Sequence, residues 1–339
     1  MHRFAYRRPE SVDAAIQAAR AGQTSGPPVQ APGQFIAGGT NMTDYMALDV
    51  MRPDTLVDIN RLSAERYGRI EANAQGLRLG ALVRMAQAED HPVIQSQYPV
   101  IHDTLKLAAT RQIRNMASLG GNVLQRTRCE YFRETSWPCN KRNPGSGCAA
   151  LDGHNRQHAV LGASQNCIAT YAGDFAQALI ALDATVETMG PNGARTMKFA
   201  DLHTRPGNTP NVETVLQPGE LILFVNVPAG PWTARSRYLK IRDRDSYQFA
   251  LTAAAVALDL DGAVVREARI ALGGVATVPW RAHEAEAALK GKQLDEGTAT
   301  QAAEAAFANA QTRQHNAFKV PLGKQTIVRA LLEAQAMKV

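Results

Sequence analysis

Apolar positions along the chain fall into short runs separated by glycine and proline, and their period changes with position. Ser11-Val12-Asp13 opens a helix that alanines and Ile16, at helical spacing, carry to Arg20. Ala21 to Gly33 is rich in Gly, Pro, Ser and Gln and reads as a loop. The short apolar run Phe35-Ile36-Ala37 then reads as a strand, Gly38-Gly39-Thr40-Asn41 as a turn, Met42 to Leu48 as a helix and Thr55 to Ile59 as a second strand. A strand, a glycine turn, a helix and a strand in that order predict a parallel α/β layer over the first 60 residues.

Beyond residue 60 the pattern shifts. A strand is expected at Leu77-Arg78-Leu79, with helices over 84–90 and 99–110. A second glycine pair, Gly120-Gly121-Asn122, precedes a long irregular stretch. Strands follow at His158–Leu161, Thr185–Met189 and Arg195–Met197, with a helix over Phe175–Leu182. Leu221 to Val225 is a continuous apolar run, the mark of a strand covered on both faces. Pro228-Ala229-Gly230-Pro231 is the best linker. Past it, strands are expected near 236–241, 250–258 and 268–275, then helices near 281–289, 299–310 and 324–337, a small α+β unit. The residues thus divide into regions 1–60, 61–230 and 231–339.

Composition narrows the class. The 339 residues are 45% hydrophobic and 20% charged, ordinary globular values that exclude a disordered or fibrous chain. Net charge is +6, and no block of like charge stands out. A basic face toward a phosphate is allowed, but a nucleic-acid arm is not indicated, and 6% aromatic content argues against base-stacking platforms. The longest apolar segment, Phe249 to Leu260, is too short for a membrane span of 18 or so residues and carries Asp259. The N-terminal stretch has basic residues without an apolar core after them, so no export signal of its own is expected.

Cysteine placement carries more information. Cys129, Cys139, Cys148 and Cys167 all lie within one window of 39 residues, spaced C-x9-C-x8-C-x18-C. Disulfides need an oxidising compartment, and a chain of this size does not need staples. Zinc knuckles use C-x2–4-C, which is lacking, although a mixed site of Cys148, His154, His158 and Cys167 is conceivable. Four unrelated buried thiols are the plain alternative. Long irregular spacings best suit an iron–sulfur cluster, where each thiolate takes one iron. Between Arg126 and Arg156, six basic residues face three acids, a weak match to an anionic cluster. Pro138, Asn143-Pro144-Gly145 and Gly147 make the segment loop-like, and a long ordered loop needs an internal anchor.

Neither G-x-G-x-x-G nor G-x-x-x-x-G-K-[ST] occurs, so a Rossmann site and a P-loop are unsupported. Gly38-Gly39, between a strand and a helix, nevertheless lets backbone close on a ligand and offers N–H groups to an anion. Gly120-Gly121 can supply a second wall.

These residues resemble a known family. Phe35-Ile36-Ala37-Gly38-Gly39-Thr40-Asn41-Met42 is similar to the first FAD pyrophosphate loop of the flavoprotein (medium) subunits of the xanthine dehydrogenase and aldehyde oxidase family. Gln112 to Val123, through Ser118-Leu119-Gly120-Gly121-Asn122, resembles the second FAD loop. Gly173-Asp174-Phe175, Gly219-Glu220-Leu221-Ile222 and Tyr238-Leu239-Lys240 match three later landmarks in order, so the likeness covers nearly the whole chain. Around the cysteines, Gln125-Arg126-Thr127-Arg128-Cys129, Pro138-Cys139-Asn140-Lys141-Arg142 and Pro144-Gly145-Ser146-Gly147-Cys148 resemble the inserted loop of bacterial periplasmic aldehyde oxidoreductase FAD subunits.

The resemblance implies an α+β fold: a vanillyl-alcohol-oxidase (PCMH)-type FAD-binding domain of two α/β subdomains, then a small α+β C-terminal domain of the CO dehydrogenase flavoprotein type. FAD-binding subdomain 1 would be 1–60, subdomain 2 would be 61–230 with the inserted loop at about 125–168, and the C-terminal domain 231–339. Gln34, Phe35, Ile36, Ala37, Gly38, Gly39, Thr40, Asn41 and Met42 would wrap the pyrophosphate. Thr110, Ser118, Gly121 and Asn122 would form the second wall, and Asp174 would bind the ribityl or ribose region. Ile222, or its neighbour Leu221, would pack on the isoalloxazine, with Lys240 near the ring. Cys129, Cys139, Cys148 and Cys167 would hold a [4Fe–4S] cluster that either relays electrons or pins the loop, the long irregular segment favouring pinning plus partner contact.

On this resemblance the chain carries electrons rather than oxidising substrate. A large molybdenum-cofactor subunit would oxidise aldehyde to carboxylate, a small subunit with two [2Fe–2S] clusters would relay electrons to FAD, and an external acceptor would take them. The heterotrimer would be exported folded to the periplasm on the small subunit's twin-arginine signal, the cytoplasm being the alternative. No catalytic residue is expected here. His2, His91, His102, His203, His283 and His315 are scattered and read as structural, His154 as a loop residue and His158 as a neighbour of the cluster. Two other classes stay open on the residues alone: a stand-alone flavin oxidase of small alcohols or aldehydes, and a zinc-stabilised binding module.

Overall fold

Three sheets organise the chain in a computed structural model that describes residues 1–22 and 26–339. Part of the expected loop over Ala21–Gly33, residues 23–25, lies outside the described residues. In the first sheet β1 (Ala5–Arg7), β2 (Gly33–Ile36) and β3 (Thr55–Asp58) run parallel in the order β1-β3-β2. Parallel neighbours need crossovers, and α1 (Val12–Arg20) and α2 (Met42–Ala47) supply them. The Ser11 hydroxyl caps α1 by accepting from the Ala14 N–H at 3.2 Å, and Ala15, Ile16 and Ala19 are buried. This is the parallel layer that the apolar runs predict.

The second region begins with α3 (Ala64–Tyr67), β4 (Ile70–Asn73) and β5 (Gly76–Gly80). Short helices follow: α4 (Met85–Glu89), α5 (Pro92–Gln97), α6 (Pro99–Lys106), α7 (Arg111–Met116), α8 (Leu119–Val123) and α9 (Glu130–Arg133). After the cysteine loop come α10 (Phe175–Ala181), β6 (Thr185–Gly190), β7 (Gly193–Lys198) and β8 (Leu221–Pro228). The antiparallel sheet has the order β4-β5-β8-β6-β7, which puts the apolar β8 at its centre. Opposite β6 the register slips, so Leu223 is an extra residue on β8. That bulge lets Leu223 and Phe224 both join the core shared with α1 and β3, while Ile222, Val225 and Val227 join the core under the helices.

The third sheet, order β12-β11-β10-β9, comprises β9 (Ser236–Ile241), β10 (Thr252–Asp261), β11 (Val264–Gly273) and β12 (Trp280–Arg281). Helices α11 (His283–Leu289), α12 (Glu296–Ala306) and α13 (Lys319–Gln335) cover one face. Strand alternation explains the alanine-rich run: Ala253, Ala255 and Ala257 face the core of the second region, and Ala254, Val256 and Leu258 face α11–α13. Most of the segment 249–260, residues 252–258, is thus a doubly covered strand, and among the described residues no helix is long and apolar enough to cross a membrane.

Local departures from the sequence pattern have local causes. The expected helix over 99–110 ends at Lys106 because Ala109 takes a left-handed φ of 48°, after which Thr110 caps α7. Gly120 and Gly121 lie inside the short α8 rather than in a turn. His158–Leu161 is not a strand: Val160 and Leu161 donate to the single carbonyl of Val275, and Leu161 forms only an isolated bridge with Ala276.

Candidate functional site

The two glycine pairs come together. Gly38 approaches Met116 at the end of α7 so closely that a Cβ there would sit 1.9 Å from the Met116 carbonyl oxygen. Gly39 has φ +74°, a conformation that only glycine adopts without strain, and its carbonyl accepts from the Thr43 hydroxyl at 2.8 Å. On the other side, Ser118 caps α8 by accepting from the Gly121 N–H at 3.3 Å. Gly120 lies against Ala81, where a Cβ would meet another at 2.8 Å.

A clamp of polar side chains behind both pairs fixes this approach. The Asn60 amide donates to the Ala37 carbonyl at 2.8 Å, and its oxygen accepts from Arg84 Nη2 at 2.8 Å. The second Arg84 nitrogen, Nη1, donates to the Met116 carbonyl at 2.7 Å. Asn60 also donates to Asp58 Oδ1 at 2.6 Å, at the end of β3. The sequence offers no local signal for Asn60 or Arg84, because their partners are 23 and 32 residues away.

Both glycine pairs line one cavity of about 880 Å³, within the 300–1,000 Å³ range of cofactor pockets. Gln34, Phe35, Ile36, Ala37, Gly38, Gly39, Thr40, Asn41 and Met42 all line it, as do Ser118, Gly121, Asn122, Asp174, Leu221, Ile222 and Lys240. Thr110 does not: its hydroxyl is the cap of α7, accepting from the Ile113 N–H at 3.4 Å. The Asn122 Oδ1 is buried without a hydrogen-bond partner, an acceptor left for a ligand donor. Size, backbone cradles and this orphaned acceptor fit a dinucleotide flavin.

Asp174 and Lys240 meet at the cavity wall. Lys240 Nζ donates to Asp174 Oδ2 at 2.7 Å and to the Leu107 carbonyl at 3.1 Å, with its side chain 1% exposed. The other carboxylate oxygen accepts from the Tyr238 hydroxyl at 2.6 Å. Tyr238 and Lys240 alternate onto the same face of β9, so the motif Tyr238-Leu239-Lys240 delivers both to one carboxylate. The Lys240 charge is therefore engaged inside the wall. Tyr238, buried beside Asp174, has its hydroxyl pushed well above the usual phenol range, so it stays a donor.

The four cysteines are free thiols and line one small cavity, which shares Cys129 with the large one. Cys139 and Cys148 pair as a backbone bridge, and Cys167 pairs with Ser164. Asn140 ties the loop together: its N–H donates to the Gly147 carbonyl at 2.7 Å, its oxygen accepts from Gly147 N–H at 2.8 Å, and its amide reaches the Asn166 carbonyl at 3.1 Å. Arg142 closes α9 by donating to the Phe132 and Tyr131 carbonyls at 2.7 and 3.0 Å. Burial pushes the Cys129 thiol up to about 12 and Cys167 up to about 11, and it raises Cys148 too. His158 Nε2 lies 3.1 Å from Cys129 Sγ, while its Nδ1 is buried without a partner.

Two expectations about this loop change. The basic excess is mostly spent on acids outside the loop. Arg126 pairs with Glu213 at 2.7 Å, Arg133 and Arg128 with Asp44 at 2.7 and 3.1 Å, and Arg156 with Asp243 at 2.8 Å. The mixed tetrad of Cys148, His154, His158 and Cys167 does not assemble. His154 stacks on His315 with ring centroids 5.0 Å apart, and among the described residues no group of three His, Cys, Asp or Glu side chains is placed to hold a metal ion. The Asp44 link has its own use: Arg128 also donates to the Asn41 side-chain oxygen, tying the residue before Cys129 to the first glycine turn.

Known proteins carry the same organisation. A family model described as the FAD binding domain in molybdopterin dehydrogenase matches residues 2–230, and one described as the CO dehydrogenase flavoprotein C-terminal domain matches residues 237–334. The chain is 46% identical, over 89% of its length and 92% of the relative's, to the aldehyde oxidoreductase FAD-binding subunit PaoB of Escherichia coli strain K12. It is 26% identical to the carbon monoxide dehydrogenase medium chain of Hydrogenophaga pseudoflava over 98% of both chains. A solved structure of that dehydrogenase, lacking the Mo-pyranopterin moiety of its molybdenum cofactor, superposes with a TM-score of 0.74 at 26% identity, covering 99% of this chain and 98% of the other. The paired glycine cradles and the full-length match agree that this chain belongs to the FAD-binding flavoprotein subunits of the molybdopterin dehydrogenase family.

Proposed function

We propose that the chain is the electron-transfer flavoprotein subunit of a heterotrimeric molybdenum-containing aldehyde oxidoreductase. The observation that carries this reading is the meeting of two glycine cradles on one cavity of about 880 Å³. FAD, when bound, supplies a redox couple that no side chain offers. The chain's residues bind and orient it. Backbone from Gln34 to Met42 and the start of α8 would take the pyrophosphate, Asn122 Oδ1 would accept from a ligand donor, and Leu221 and Ile222 would present an apolar wall. Asp174, already held by Tyr238 and Lys240, would fix the polar edge. No nucleophile–base pair is needed, because substrate oxidation belongs to the large molybdenum-cofactor subunit and a small subunit with two [2Fe–2S] clusters delivers the electrons. An external acceptor removes them.

A [4Fe–4S] cluster on Cys129, Cys139, Cys148 and Cys167 completes the reading. Support comes from four free thiols around one cavity. A cubane gives each thiolate its own iron and so spreads its ligands. Its main task here is to pin the loop and organise a face for the partner subunits. Exposed Trp137 stands on that loop, packed edge-on against Tyr131. The complex works in the periplasm, exported with a signal-bearing small subunit, as the likeness of the cysteine loop to periplasmic relatives implies.

The test is purification of the native complex with flavin release, iron and sulfide analysis, and mass spectrometry of co-purified chains. Flavin, cluster iron and two partner subunits are expected, in the periplasmic fraction. A colourless chain without flavin or iron overturns the reading, and zinc without flavin points to a binding module instead.

A further inference from the structure

Lys319, at the start of α13, has no part in the function above, yet it is wholly buried. Its ammonium donates to the Gly274 carbonyl at 2.6 Å and the Gln157 carbonyl at 3.0 Å. Among the described residues no carboxylate pairs with it, and burial and then Arg156 push it down to about 7. A buried ammonium held only by carbonyls is costly, and a nearby anion would stabilise it. Both carbonyls belong to residues lining the large cavity, and Gln157 directly precedes His158. Asn316, one turn earlier, binds the same strip of backbone through the Ala159 carbonyl at 3.3 Å.

A thiolate-bound cluster at the neighbouring thiol site would supply one, since Gln157, whose carbonyl Lys319 holds, adjoins His158. Cys129 lines both the small thiol cavity and the large one, and His158 Nε2 is 3.1 Å from its sulfur. With Nδ1 unpartnered, the tautomer that satisfies the geometry has its proton on Nε2, donated to Cys129 Sγ. Hydrogen bonds to ligand sulfur and nearby positive charge both favour the reduced, more negative state of a thiolate-bound cluster.

We propose that Lys319 is the buried counter-charge of the iron–sulfur cluster and, with the His158 N–H donated to Cys129, sets the cluster's potential. The inference rests on the cluster reading above. Lys319 is a positioning and tuning residue, not a catalytic one, so its test reads potential rather than turnover. In the purified holo-complex, the cluster is titrated by EPR-monitored potentiometry and the flavin by its absorbance, for the wild type, Lys319→Met and Lys319→Arg, with iron and sulfide measured on each. Lys319→Met is expected to keep its iron but to show about tenfold less reduced cluster at a fixed potential, a midpoint lowered by about 59 mV for a one-electron couple. Lys319→Arg restores the wild-type value.

An iron-loaded Lys319→Met with an unmoved cluster midpoint overturns the inference and leaves the cluster reading intact. So does a shift confined to the flavin. If Lys319→Met fails to load iron, Lys319→Gln takes its place, and failure of both while the wild type is loaded makes the residue structural and overturns the inference. A wild type without iron overturns both readings together.

Discussion

Gly38 and Met116 are in backbone contact beside the cofactor cavity, with room for no atom beyond the glycine hydrogen: a Cβ would lie 1.9 Å from the Met116 oxygen. The same oxygen accepts from Arg84, so it is not free to retreat. Gly38→Ala should therefore force the two cradles apart. We expect a loss of about 1–3 kcal/mol in stability and of most bound flavin. The ratio of flavin absorbance to protein, with a chemical denaturation curve, checks both. Full flavin content in the variant would show that the cradles tolerate separation.

Asp174 and Lys240 form a buried pair at 2.7 Å, with side chains 7% and 1% exposed. Asp174→Ala leaves an ammonium buried against the Leu107 carbonyl and the Tyr238 hydroxyl without its acceptor. Losing one partner of such a pair costs about 3–5 kcal/mol. Asp174→Ala combined with Lys240→Met should recover a large part of that loss. A double-variant denaturation cycle that shows simple additivity would contradict the coupling.

Cys139 sits in a small core with Tyr45, Met51 and Phe132, at the centre of the thiol loop. If the proposed cluster and assembly hold, Cys139→Ser loses the cluster iron and much of the assembly with the partner subunits, measured by iron content and gel filtration. Normal assembly with merely slowed turnover would argue for an electron relay over a pinning role.

His203 gives a dependence on pH. Its Nε2 lies 2.9 Å from the Val123 carbonyl, and burial lowers it from 6.5 to about 4. Between those values the unfolded chain binds a proton that the folded one refuses. Stability is then complete above about 6.5 and falls as pH drops toward 4, by about 1–2 kcal/mol after allowance for the ring's partial exposure. Melting curves across that range should be flatter for His203→Gln than for the wild type.

Legibility in the sequence followed the range of each interaction. The glycine pairs were readable because tight approach and positive φ demand one residue type at fixed places. β10 was readable as a strand, but not the two cores its alanines face, since an unbroken apolar run has no period to tell one face from the other. The pairing of Asp174 with Lys240 spans 66 residues and arises when α10 docks on the third sheet. Each residue stood out singly; their union did not. Asn60, Arg84 and Lys319 carry no motif, because what defines them is the distant carbonyl they hold. The strand expected at His158–Leu161 failed for the converse reason: its residues are apolar, but only one bridge partner is within reach.

The alanine face of β10 bears on how the protein can be dissected. Small side chains let α6 and α10 lie close against β9, β10 and β11, so the C-terminal sheet forms one wall of the preceding region's interior. A cut in Pro228–Pro231 would strip that wall and expose Phe175, Leu179 and Tyr238 to water. Calorimetry of the intact chain should accordingly give one transition, and a truncated flavin fragment should be insoluble rather than a miniature of the whole.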